Sequence, residues 1–150
     1  MNEVILNKLR HYCAYQERCH EEVRTKILAL KIYGEGLEEI INKLIEEDFL
    51  NEERFSKAYS GGRFRIKKWG RNKIINELKK RKISEYCIKM GLSEIDADDY
   101  SATMNKLIQS ALKRYKSNNP FETKNKTAKF LISKGYESNL VWDRIGVLLD

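Results

Sequence analysis

The chain has 150 residues, 41% of them hydrophobic and 34% charged, with a single proline and a formal net charge of +7. Such a balance suits one ordinary domain or a few small modules and favours many narrow amphipathic helices over one thick globule. It excludes a membrane-spanning helix, which needs ~20 consecutive apolar residues, and no alternating run of Val, Ile or Thr signals a strand.

In chain order, Ile5, Leu9 and Tyr12 follow helical spacing, as do Val23, Ile27 and Leu30. Leu37, Ile40, Ile41, Leu44 and Ile45 complete an i, i+3, i+4, i+7, i+8 stripe. Asn51 suits a helix N-cap, Glu52 and Glu53 complement the positive end of the helix dipole, and Leu50 with Phe55 form a hydrophobic staple. That helix is expected to turn Phe55, Ala58 and Tyr59 inward and to kink or approach a neighbour closely at Gly61-Gly62, since each glycine costs a helix about 1 kcal/mol relative to alanine. Lys67-Lys68-Trp69-Gly70 reads as a loop, followed by a short basic helix with Ile74 and Leu78 inside. Ser84 caps the next helix, with Ile83 and Ile88 as staple partners. Residues 91–98 form a turn before the longest stripe: Tyr100, Met104, Leu107, Ile108, Ala111, Leu112 and Tyr115. Asn118-Asn119-Pro120 ends that helix, since proline cannot continue it. Two last helices centre on Phe130-Leu131 and on Val141, Ile145 and Leu148.

A weak internal repeat runs through these elements. VRTKILALKIY, IINELKKRKI and TAKFLISKGY each end a helix in an isoleucine or aromatic, and a second helix follows near Leu37, Ser84 and Ser138. Spacings of roughly 50 residues match a three-helix unit with short connections. Units that small hide little core alone, so the expected fold is all-α: an elongated, curved array of tandem three-helix modules. The expected division is residues 1–65 for an N-terminal helical region and first module, 66–117 for a basic second module and 118–150 for a third.

The N-terminus, MNEVILNKLRHY, lacks the charged-then-apolar layout of a secretory signal. Cys13, Cys19 and Cys87 are an odd number without framework spacing, which fits a reducing compartment, so the expected location is cytoplasmic. His11, Cys13, Cys19 and His20 lie close together but contain no Cys-x-x-Cys pair, so they read as ordinary helical residues and no metal is expected. Asp96, Asp98 and Asp99 do not make a calcium loop, because Leu107 stands where the closing glutamate belongs. No Gly-rich phosphate loop, nucleophile elbow or His-Glu-x-x-His is present. The expectation is a binding protein without catalytic residues or cofactor.

Charge carries the functional signal. Residues 1–53 hold 7 Lys/Arg against 12 Asp/Glu, a net of −5, so the remainder carries +12 of the total +7. Arg63, Arg65, Lys67, Lys68, Arg71, Lys73, Lys79, Lys80, Arg81 and Lys82 fall within twenty residues beside one acid, Glu77. With Ile74 and Leu78 inside, Arg71, Lys73, Lys79, Lys80 and Lys82 must line an exposed face. Trp69 is either a packing wedge, the commoner role, or a stacking platform for a base. A second cluster, Lys113, Arg114, Lys116, Lys124, Lys126, Lys129 and Lys134, straddles Pro120. These faces suit phosphates or an acidic protein surface, and a solvated face is the plain alternative.

At these residues the chain resembles the RecX family of recombinase regulators. Phe49-Leu50-Asn51-Glu52-Glu53-Arg54-Phe55-Ser56-Lys57-Ala58-Tyr59 is similar to that family's acidic-Arg-Phe-Ala-x-x-Tyr helix start. Trp69-Gly70-x-x-Lys73-Ile74-x-x-Glu77-Leu78-Lys79-x-Arg81-Lys82-Ile83 and Lys126-x-x-Lys129-Phe130-Leu131-x-x-Lys134-Gly135-Tyr136 continue the resemblance in order. Gly61-Gly62, Lys82 in place of the usual glycine, and one extra residue before Tyr33 depart from it. The resemblance implies tandem three-helix modules and no enzymatic activity. It also implies a protein that lies in the groove of the RecA–DNA filament, restraining filament growth, ATP hydrolysis and strand exchange; a monomer with weak contact of its own to single- or double-stranded DNA is the accompanying expectation. The alternative is a stand-alone helical DNA-binding protein serving repair or transcription.

Overall fold

The computed structural model describes residues 2–149, which form nine helices: α1 Glu3–Tyr15, α2 His20–Ala29, α3 Gly34–Glu46, α4 Glu52–Lys67, α5 Arg71–Lys80, α6 Glu85–Leu92, α7 Ala97–Arg114, α8 Pro120–Ser133 and α9 Ser138–Leu149. Among the described residues there is no strand. Local chemistry sets the starts. Asn51 Oδ1 accepts the Arg54 N–H at 2.9 Å, Ser84 Oγ accepts the Cys87 N–H at 3.2 Å, and Asp96 accepts the Asp99 N–H at 3.0 Å. Asp96 is therefore a cap, the role its turn position favours. Pro120 opens α8 where its missing N–H is harmless, with Asn119 as N-cap.

The helix ends share a second device. Lys31, Asp48, Lys82 and Gly135 all have positive φ, at 62°, 62°, 61° and 102°. In each case the following residue donates its N–H back to a carbonyl five residues earlier: Ile32 to Ile27, Phe49 to Leu44, Ile83 to Leu78 and Tyr136 to Leu131. This left-handed ending aims the next hydrophobe into the core. The three repeat instances seen in the sequence finish on it, at Lys31-Ile32, Lys82-Ile83 and Gly135-Tyr136. Lys82 thus occupies a conformation that favours glycine.

The chain packs as two compact units, one comprising the residues up to Tyr59 with Leu78–Gly91 and the other Ser60–Glu77 with the residues from Leu92. In the first, Leu6, Leu9, Cys13, Val23, Ile27, Leu37, Ile40, Ile41, Leu44 and Leu50 form one buried cluster. Several of its carboxylates serve arginines of the same unit: Glu47 takes Arg10 through two hydrogen bonds of 2.8 and 2.9 Å, Glu38 takes Arg24, and Glu17 takes Arg54. The Arg10 hydrogen bond holds Glu47 below the usual carboxylate range, as Arg24 does for Glu38.

One expectation for α4 needs correction. Ala58 is exposed, and the inward positions go to Phe55, Ser56, Ser60 and Phe64. The stripe is rotated from the one that Phe55 and Tyr59 suggested, and it buries the Ser56 and Ser60 hydroxyls without a hydrogen-bond partner among the described residues. The helix also runs unbroken through Gly61-Gly62. Ile45, read as the end of the α3 stripe, is 42% exposed.

In the second unit, the loop before α5 docks against the turn before α9. The Gly70 N–H donates to Lys134 O and the Asn72 N–H to Gly135 O, both at 2.8 Å. A Cβ on Gly70 would lie 2.3 Å from Gly135 C. This is backbone against backbone, and it accounts for the glycine after Trp69.

Candidate partner and nucleic-acid interface

The first basic cluster divides by what its members touch. Arg71, at the start of α5, pairs with Glu137 at 2.8 Å, stacks over the Tyr100 ring at 3.8 Å and donates its backbone N–H to Tyr100 Oη at 3.0 Å. Tyr100 in turn donates to Glu137. Burial, then the hydrogen bond to Glu137, holds the Tyr100 hydroxyl well above its ordinary range. Arg71 is a tie between helices and only half-buried.

Arg81 acts similarly in the first unit. Its guanidinium reaches Glu22 at 3.2 Å and Cys19 Sγ at 3.8 Å and lies 5.1 Å from the centre of the Tyr59 ring. Burial pushes the Cys19 thiol up, keeping it a neutral core group. Lys82 approaches Glu21 at 3.7 Å but stays largely exposed. Lys79 and Lys80 are exposed on the last turn of α5.

The remaining cations of the first cluster belong to the second unit. Arg63 lies 5.5 Å and Lys73 4.6 Å from the centre of the Trp69 ring, so the half-buried indole holds two cations at once. Arg65, Lys67 and Lys68 are exposed. Lys68 Nζ donates to Arg65 O at 2.7 Å, while Lys68 O accepts from Tyr136 Oη at 2.8 Å.

The second cluster meets this group through Lys134. Its Nζ donates to Lys67 O at 3.3 Å. Burial, then the like charges of Lys73 and Arg114, hold the Lys134 ammonium below its ordinary range. Arg114 lies 4.4 Å and Lys134 5.7 Å from the centre of the Phe130 ring. Three cations far apart in sequence, at the start of α5, the end of α7 and the end of α8, therefore share one electrostatic neighbourhood. Of the others, Lys113, Lys116 and Lys129 are exposed, Lys124 is half-buried, and Lys126 pairs with Glu122 at 2.9 Å. Crowded like charges repel, and an anion bound among them relieves that repulsion. Lys134 was marked in the sequence by the charge run and by the Lys134-Gly135-Tyr136 motif, and only the fold brings it beside Lys73 and Arg114.

Comparison with known proteins now adds to the geometry. Residues 51–92 match the family model described as RecX, second three-helix domain, and residues 98–144 match RecX, third three-helix domain. The two matches together cover more than half of the chain. A protein named Regulatory protein RecX from Clostridium tetani is 31% identical over 135 residues, covering 89% of this chain and 60% of that relative. One of the same name from Enterococcus faecalis is 26% identical over 139 residues, covering 93% and 52%. The crystal structure of RecX from Lactobacillus salivarius superposes with a TM-score of 0.85 at 25% identity, covering 95% of this chain and 93% of that one. The chain thus spans between half and three-fifths of the length of these two curated relatives.

Proposed function

The chain belongs to the RecX family, and from that premise we propose that it is a regulatory protein of recombination and repair. It binds the RecA recombinase–DNA filament and restrains filament extension, ATP hydrolysis and strand exchange. The observation that carries this reading is the crowding of Lys73, Arg114 and Lys134, beside Arg63 and Trp69, within a family of regulators. A set of cations held together against their own repulsion suits a polyanionic or acidic partner. The two sequence clusters supply parts of the same surface in this reading. Arg71 and Arg81 support it indirectly, by tying helices together.

The test is the DNA-dependent ATPase of the cognate RecA titrated with this protein. Saturable inhibition at comparable or lower protein concentration is expected, together with loss of strand exchange. An excess that leaves both reactions unchanged would refute the reading. The variant pair Lys73→Ala/Arg114→Ala is expected to raise the half-inhibitory concentration roughly tenfold, the scale of losing a cationic hot spot. Arg81→Ala instead lowers the unfolding free energy by about 1–2 kcal/mol, from a lost half-exposed ion pair and ring contacts. If Lys73→Ala/Arg114→Ala inhibits as well as the parent, the interface lies elsewhere.

A further inference from the structure

The first unit is close to neutral overall, with 14 Lys/Arg against 13 Asp/Glu, and one pocket on it is lined mainly by cationic and aromatic side chains. Its lining is Lys8, His11, Tyr12, Tyr15, Arg18, Lys26 and Leu30, around a volume of about 360 Å³. No carboxylate lines it. Lys8, His11, Tyr12 and Tyr15 stand at i, i+3, i+4 and i+7 on α1, a complete helical stripe. The core stripe of the same helix is Leu6, Leu9 and Cys13; Tyr12 packs partly against that core, while Lys8, His11 and Tyr15 are exposed. Tyr15 is 84% exposed, so its ring face is open to a planar ligand beside these cations.

The wall opposite is pre-organised. Arg18, in the connection between α1 and α2, donates Nε–H to Tyr12 O at 3.1 Å, stacks over the Tyr12 ring at 3.8 Å and is steadied by Glu22 at 3.5 Å. Lys26 Nζ sits 5.3 Å from the centre of the same ring. Among the described residues Lys8, His11 and Lys26 have no carboxylate partner, whereas most arginines of this unit do.

We propose that this pocket binds one nucleotide unit, its base stacked on the exposed Tyr15 ring and its phosphate held by Lys8 and Lys26. A volume near the small end of ligand sites, ~300–1,000 Å³, fits a single nucleotide. Rings interleaved with cations are the general arrangement for unstacked bases and their phosphates. An acidic peptide would use the cations but has no call on a free aromatic face. The nucleotide comes either from a single strand or from a free nucleoside triphosphate.

The experiment uses the full chain and no recombinase, so its outcome does not depend on the recombinase reading. Fluorescein-labelled dT12, an abasic strand of equal length, ATP and an octaglutamate peptide are the probes. All are measured in the parent and in a Lys73→Ala/Arg114→Ala background, which removes the other cationic surface. Lys8→Ala/Lys26→Ala is expected to weaken dT12 binding roughly tenfold and to flatten its logarithmic salt slope by about 0.7, the value for one neutralised phosphate. Tyr15→Ala is expected to weaken dT12 roughly tenfold and to leave the abasic strand unaffected. Displacement of dT12 by ATP in a Lys8- and Lys26-dependent manner identifies the free nucleotide as the ligand, and failure of ATP to displace it identifies the strand. Three results overturn the proposal: both variants binding dT12 and ATP like the parent, a Tyr15→Ala loss that persists on the abasic strand, or dependence on Lys8 and Lys26 shown by octaglutamate alone. Thermal midpoints equal to the parent's establish that the variants are folded.

Discussion

Replacing Gly70 with alanine separates two roles of glycine in this chain. The added Cβ would stand 2.3 Å from Gly135 C, 2.4 Å from Gly135 O and 2.4 Å from Tyr136 N. All three are backbone atoms, so no side-chain rotation relieves the overlap, and the loop before α5 must withdraw from the turn before α9. Overpacking of this kind costs ~1–3 kcal/mol. Withdrawal also threatens the 2.8 Å hydrogen bonds from Gly70 and Asn72 to Lys134 O and Gly135 O, each worth roughly 0.5–1.5 kcal/mol. The expected loss is about 2–5 kcal/mol, or very roughly 4–20 °C in midpoint at ~2–4 °C per kcal/mol for a chain of this size. Gly62 is the control: nothing lies within 4 Å of its would-be Cβ and it sits inside a helix. Gly62→Ala is therefore expected to stabilise by ~0.5–1 kcal/mol. Urea unfolding followed by circular dichroism reads both variants. Two glycines eight positions apart should thus respond with opposite sign, and a neutral or stabilising Gly70→Ala would refute the backbone-contact argument.

Lys82→Gly should raise the unfolding free energy by about 0.5–1 kcal/mol, because relief of left-handed strain at φ 61° outweighs the exposed contact with Glu21 and the added freedom of the unfolded chain; an unchanged or lower midpoint in urea would count against it. Alkaline titration gives the other test. Burial raises the hydroxyl pKa of Tyr100 and Tyr136 above the ordinary value near 10, so their neutral forms stabilise the fold fully below that pH, and the contribution is lost as pH rises through the higher folded values. Of the eight tyrosines, these two should ionise late and together with unfolding when absorbance at the tyrosinate band is followed against pH. Ionisation of all eight in one step near pH 10 would contradict their burial.

Local signals made much of this molecule readable. Asn51, Ser84 and Pro120 marked their helix starts because capping is decided within four residues. The repeated Lys-Ile, Lys-Ile and Gly-Tyr endings recur for a similarly local reason, the left-handed residue that closes a helix. The miss at Ala58 has a physical cause as well: a helix face is chosen by what lies opposite, which the local sequence does not encode.

The site was legible as composition and not as geometry. Counting cations placed Arg71, Arg81, Lys73 and Arg114 in one class, yet two are tied to Glu137 and Glu22 while the others crowd around Lys134. In the acidic first third, Glu47, Glu38 and Glu17 pair with Arg10, Arg24 and Arg54, which the net charge alone does not reveal. By itself the sequence determined which segments are helical, where they stop and which face of most is apolar, because those depend on periods of 3.6 residues and on caps. Only the tertiary structure decided which charges meet: Arg71 reaches a carboxylate 66 residues away and Lys134 a carbonyl 67 residues away, and no local spacing encodes partners brought together by packing.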